Sequence, residues 1–182
     1  DYRITDSGLD PESEPAWGPE KLVRLKCGAV CLEEPDIAPD VGPLPAVRNG
    51  FFTFGSFNNL AKVGPEVLDV WADTLKAVQG SRLHVVAEQG SQIVERLGER
   101  GIAPSRITVL ERMPEPEYLA AHQQIDILID TFPYNGFTIT LLGAFMGVPC
   151  LTCRGELPSA RTASTVMSRL GLECLVAYSP SA

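Results

Sequence analysis

The sequence predicts an α/β protein built on a doubly wound parallel sheet, and three observations carry that prediction. From Phe51 onward, short apolar runs alternate with amphipathic stretches of helical period, the pattern of successive βα units. Gly, Pro and Ser punctuate the boundaries between them. Polar segments follow three of the apolar runs, and a parallel sheet gathers such segments at its carboxyl edge, where ligands bind.

Residues 1–50 hold seven of the fifteen prolines, at positions 11, 15, 19, 35, 39, 43 and 45. Proline fixes φ and removes a donor, so this segment reads as an extended connector, with one short regular element at 20–25. Strands are then expected at 51–54, 83–87, 107–110, 125–129, 148–151 and 174–177. The clearest helix starts at Pro65 and is stopped by Gly80, with Val67, Trp71, Leu75 and Val78 forming one buried stripe. Further helices are expected at 91–100, 116–123, 138–146 and 160–170. The domain division is therefore 1–50 and 51–182.

Composition narrows the function classes. Of the 182 residues 45% are apolar, and 23 acidic against 15 basic side chains give a formal charge of −8, the wrong sign for a nucleic-acid backbone binder. No apolar run approaches the roughly 20 residues of a membrane span and no leader pattern opens the chain, so a cytoplasmic protein is expected. The chain opens on Asp1 rather than Met, so a piece cut from something longer is the expectation.

Cys27, Cys31, Cys150, Cys153 and Cys174 make an odd count, against a secreted disulfide framework. Cys150 and Cys153 lie three apart in an apolar strand and point to opposite faces, so they do not converge on a metal; the thiols read as buried and inert. Neither glycine-rich nucleotide fingerprint occurs. The two histidines, His84 and His122, are isolated, which disfavours a metal site or a Ser-His-Asp hydrolase. Asp126 and Asp130 share a strand face roughly 13 Å apart, too far for a glycosidase pair. Asp130, at the strand's carboxyl end, reads as an acceptor that orders the following loop, or as a site residue.

The three edge segments are 55–62, 130–138 and 154–161. Gly136 and Thr138 open a helix, where backbone N–H groups and the dipole can hold an anion such as phosphate; Thr138 as a simple N-cap is the other reading. Lys62, preceded by Asn58 and Asn59, can neutralise a diphosphate or be a solvated surface lysine. Arg161, near a helix start, carries the same two readings.

Phe54-Gly55-Ser56-Phe57-Asn58-Asn59-Leu60-Ala61-Lys62, Ile127-Leu128-Ile129-Asp130-Thr131-Phe132-Pro133-Tyr134-Asn135-Gly136 and Met146-Gly147-Val148-Pro149 resemble the O-linked N-acetylglucosamine transferase family in its bacterial, SPINDLY-like branch. Residues 65–71 and the opening stretch fit the same resemblance. It implies the C-terminal, Rossmann-like half of a GT-B enzyme, which holds the nucleotide-sugar donor, preceded here by a tail of the N-terminal half. The histidines proposed as catalytic in the family, the acceptor groove and the tetratricopeptide repeats would lie upstream. Position by position, the resemblance gives Lys62 the role of stabilising the diphosphate leaving group and Asn59 that of a donor-binding amide. Phe137, Thr138 and Ile139 take the place of the anion cradle, and Met113 and Tyr118 fall beside the nucleobase.

Leu142 departs from the pattern, standing where the family has Asp or Glu for the ribose hydroxyls, and leucine accepts no hydrogen bond. Phe137 and Ile139 also depart, replacing a smaller or polar residue and a threonine, while Glu115 and Ala121 stand where some members are basic. The leading expectation is an inverting transferase that moves N-acetylglucosamine from UDP-N-acetylglucosamine to protein hydroxyls. It needs no metal or cofactor and uses no nucleic-acid or membrane partner. The alternatives are a degenerate binding or scaffold domain, or a GT-B enzyme using another nucleotide sugar.

Overall fold

The computed structural model describes residues 1–29, 31–88 and 90–180; residues 89, 181 and 182 of the expected 51–182 domain lie outside the described residues. Before the main sheet, β1 (Tyr2–Thr5) and β2 (Lys21–Arg24) pair in parallel, with Tyr2 opposite Lys21 and Ile4 opposite Val23. β2 meets the expectation at 20–25, whereas β1 and a short helix, α1 (Pro45–Asn49), correct the reading of the rest as irregular. Carboxylates order the backbone at both. The Asp6 carboxylate takes N–H groups from Gly8, Leu9 and Ala29, and Asp126 accepts from Ala46 at the start of α1 at 2.7 Å. Pro45 at the first turn and Gly50 at φ 74° bound α1.

Six strands form the main sheet, all pairs parallel: β3 (Thr53–Ser56), β4 (Arg82–Val86), β5 (Ile107–Leu110), β6 (Ile127–Ile129), β7 (Cys150–Cys153) and β8 (Val176–Ala177). Their spatial order is β5-β4-β3-β6-β7-β8. The chain thus lays β4 and β5 to one side of β3, then returns to place β6 on the other, and the order reverses between β3 and β6. Every residue of central β3 is buried, as helices on both faces require. β3 starts two residues later than expected because Phe51 and Phe52 act outside the ladder: Arg82 stacks on the Phe51 ring, and Phe52 meets Phe54 edge-on. Cys174 lies in a 3-10 turn, Glu173–Leu175, which shortens β8.

The helices are α2 (Pro65–Ala77), α3 (Ile93–Gly98), α4 (Glu115–Ala121), α5 (Thr138–Phe145) and α6 (Thr162–Arg169). Val67, Trp71 and Leu75 are buried along α2, but the helix ends at Ala77 and the expected fourth member of the stripe, Val78, is exposed. Alternate strand residues feed two cores. Phe54, Leu83, Val85 and Ile129 pack with α2 and α3. Leu128 and Cys150 pack with Ala163, Val166 and Met167 of α6. Cys150 is buried and Cys153 half-buried, whereas Cys27, Cys31 and Cys174 are exposed, correcting the expectation for those three thiols.

Candidate functional site

Two loops face each other where the strand order reverses. After β3, Phe57 and Asn58 turn inward and are buried, while exposed Asn59 accepts the Ala61 N–H at 3.0 Å and so caps a 3-10 turn, Leu60–Lys62. That turn aims Lys62 back over the sheet edge. Its ammonium donates to the Asn135 carbonyl at 3.0 Å and lies 4.5 Å from the centre of the Tyr134 ring.

The loop after β6 is organised around Asp130, whose carboxylate accepts from the Gly136 N–H at 2.8 Å, Thr152 Oγ1 at 2.7 Å and Asn58 Nδ2 at 3.2 Å. Burial raises its pKa to about 6, against those hydrogen bonds, which favour the charged form. Asp130 is thus the acceptor that orders its loop, one of the two readings open from sequence. Burial likewise lowers the Lys62 pKa, while the Asp130 charge pulls it back up. Asn135 donates to the Thr131 carbonyl and takes a backbone contact from its N–H to Ser159, joining the loop after β7 to the same centre. Gly136 is required by proximity: a Cβ there would sit 3.0 Å from Asn58 Oδ1 and 3.2 Å from Asp130 Oδ1.

Two cavities adjoin at Ile139. One, of about 380 Å³, is lined by Lys62, Phe137, Thr138 and Ile139, together with Tyr134, Ser159 and Thr162. The starts of α5 and α6 therefore both open on it, with Thr138 and Thr162 as their first residues. The Thr162 hydroxyl is engaged, donating to the Gly136 carbonyl at 3.1 Å. The larger cavity, about 630 Å³, takes in Asn59, Tyr118 and Ile139, with Phe57, Glu88 and Arg112 around it. Tyr118 is braced by Phe57 and by buried His122, at centroid distances of 5.6 and 5.1 Å, which sets its ring beside this cavity. Burial lowers the His122 pKa, against backbone hydrogen bonds that raise it.

Sequence-predicted residues thus separate into two groups. Asn59, Lys62, Tyr118, Phe137, Thr138 and Ile139 line the paired cavities. Met113 and Leu142 are half-buried and line neither; Met113 packs in the core beside Tyr118. Arg161 is buried and turned away, donating to the carbonyls of Gly155 and Leu9 and pairing with Glu14 at 2.5 Å. Its guanidinium secures the N-terminal segment and is not brought into the cavity as a phosphate partner.

Tyr134, Ser159, Thr162 and Arg112 were not singled out from sequence. Tyr134 and Ser159 lay within the polar edge segments, a usable signal. Thr162 was hidden by starting the last helix at 160, since Pro158–Ala160 forms a separate 3-10 turn and α6 begins only at Thr162.

A doubly wound parallel sheet with a lysine and two helix starts at its reversal point defines the class: a Rossmann-like half of a GT-B glycosyltransferase. The family model for glycosyl transferase family 41 matches residues 46–182, and the chain belongs to that family. A protein of Oryza sativa subsp. japonica described as "probable UDP-N-acetylglucosamine–peptide N-acetylglucosaminyltransferase SPINDLY" is 41% identical over 186 residues, 98% of this chain and 20% of that protein. A protein of the same description from Solanum lycopersicum is also 41% identical, over 97% of this chain. The chain spans about a fifth of the length of these relatives. Among solved structures, an O-GlcNAc transferase mutant of Thermobaculum terrenum matches with TM-score 0.91 and 35% identity, over all of this chain and 35% of that one. A sucrose-phosphate synthase of Thermosynechococcus elongatus, at TM-score 0.58 and 12% identity over 96% of this chain and 50% of its own, shares the fold alone. Among the described residues no helix is long and apolar enough to cross a membrane.

Proposed function

We propose that this chain is the donor-binding half of an inverting, metal-independent glycosyltransferase that moves N-acetylglucosamine from UDP-N-acetylglucosamine to serine or threonine hydroxyls of proteins. One observation carries the reading: the Lys62 ammonium and the first residues of α5 and α6 line a single cavity at the reversal point of the sheet. In this reading the diphosphate lies in that cavity and the uridine extends past Ile139 toward Tyr118.

As the acceptor oxygen attacks the anomeric carbon, the bond from that carbon to the diphosphate oxygen breaks and negative charge grows on the leaving UDP. Lys62 and the starts of α5 and α6 border the cavity, and in this reading they stabilise that charge with little reorganisation. The carbonyl of Asn135 holds the ammonium until an anion replaces it. The acceptor groove, the base that receives the acceptor proton and the tetratricopeptide repeats belong, in this proposal, to the rest of a longer protein. A cytoplasmic location is part of the same proposal.

Isothermal titration of UDP into the chain and into Lys62→Ala tests the assignment. Binding to the unmodified chain with a loss of about tenfold or more in Lys62→Ala is expected. Equal binding by both, or binding by neither, overturns it. A second reading, a non-catalytic binding module descended from such an enzyme, is favoured by one residue, Leu142, which offers no acceptor at the position where the resemblance expects a ribose-binding acid.

A further inference from the structure

Among the described residues no carboxylate pairs with the Lys62 ammonium, whose Nζ donates to the Asn135 carbonyl and lies 4.5 Å over the Tyr134 ring. The nearest acidic influence on it, Asp130, is buried and already engaged by three donors, so it acts on Lys62 only through its charge. Tyr134 is 57% exposed and sits at the cavity wall, with its backbone carbonyl pinned by the Thr131 hydroxyl at 2.7 Å. A ring so placed has no core to fill.

We propose that Tyr134 is a positioning residue for Lys62: its ring face holds the ammonium over the cavity mouth by a cation–π contact, where an anionic diphosphate can take it over. The proposal rests on the reading of this cavity as a nucleotide-diphosphate site and adds the device that keeps the cation in place before the donor arrives. A ring serves that purpose better than a carboxylate. It attracts the ammonium without neutralising it, so the full charge remains for the incoming anion, and no ion pair has to be broken.

The chain has only four lysines, Lys21, Lys26, Lys62 and Lys76, so the Lys62 side-chain signal can be assigned by its loss in Lys62→Ala and titrated by NMR. Tyr134→Leu keeps an apolar side chain at the wall but removes the ring; Tyr134→Phe keeps the ring and removes the hydroxyl. The charged groups bearing on the titration are Lys62 itself and Asp130, present in all variants. In Tyr134→Leu, Lys62 is expected to titrate lower than in the unmodified chain by about half a pH unit, because the charged form has lost its partner. UDP affinity should fall about threefold or more, while Tyr134→Phe matches the unmodified chain in both measurements. An unchanged Lys62 midpoint in Tyr134→Leu overturns the proposal, and so does unchanged UDP affinity in a chain that binds UDP. If the unmodified chain binds no UDP, the nucleotide reading fails on its own, and a lowered midpoint in Tyr134→Leu still upholds the contact.

Discussion

Asn58 and Asp130, 72 positions apart, meet through a buried hydrogen bond of 3.2 Å that ties the loop after β3 to the loop after β6. The same carboxylate holds Gly136 and Thr152, so one buried acid sets the geometry of the whole reversal point.

Stability should therefore depend on pH through Asp130. Its pKa rises from 3.8 unfolded to about 6 folded, mainly by burial. Between those values the folded protein keeps a proton that the unfolded chain has released, so raising the pH through this window lowers stability. The contribution is on the order of 3 kcal/mol, present below about pH 4 and lost by about pH 7. Urea unfolding across that range should show this decline in the unmodified chain relative to Asp130→Asn, which has no carboxyl to titrate. Parallel profiles for the two proteins would reject it.

Gly136→Ala should damage the same junction sterically. The new methyl would press on Asn58 Oδ1 and Asp130 Oδ1 at 3.0 and 3.2 Å, both held in a buried network with little room to move. A loss of about 1–3 kcal/mol is expected in thermal or urea unfolding, together with weaker UDP binding, because Lys62 anchors on the neighbouring Asn135. Unchanged stability would mean that the loops yield at no cost.

What could be read from the sequence follows from how local each signal is. Strand β5 falls at 107–110 as expected because Ile107, Val109 and Leu110 are bounded by turn residues in sequence. The start of α2 was legible because Pro65 is itself the first-turn residue. Lys62 and Thr138 were placed by a resemblance and by loops whose ends the sheet fixes. By contrast, β1 is set by its pairing with β2, some 19 residues on, which local periodicity does not record. The fate of Arg161 was decided by Glu14, 147 residues away, and no spacing rule reaches that far. The Tyr134 ring meets a lysine from another loop, a contact that no local pattern records.

Arg161→Met should separate structural from donor-binding roles. Removing the guanidinium leaves the Gly155 and Leu9 carbonyls without their donor and releases Glu14, so stability should drop by about 2–3 kcal/mol. Limited proteolysis should cut faster within residues 1–24, which then keep the Arg154 hydrogen bond to the Gly8 carbonyl and the Arg169–Asp6 ion pair but lose the Arg161 ties. UDP affinity should stay within about twofold, since the cavity lies on other residues. A large loss of affinity at unchanged stability would restore Arg161 to the site.

Leu142→Glu bears on whether the domain still works as a donor site. Leu142 lies four residues after Thr138 and three after Ile139 on α5, one turn beyond the residues that line the cavities, and itself lines neither. It is half-buried, which leaves a glutamate room to reach solvent or a ribose, and glutamate is a good helix former in a helix that has no acidic residue in its first turn. A carboxylate there would supply the hydrogen-bond acceptor that leucine lacks, and UDP affinity measured by titration calorimetry should rise about tenfold. If it rises, the cavity walls formed by Phe137 and Ile139 are compatible with a nucleotide and only the ribose contact had been given up. If Leu142→Glu binds no better than the unmodified chain, the ribose account of a degenerate site fails, and any weakness in donor binding must come from Phe137 or Ile139 instead.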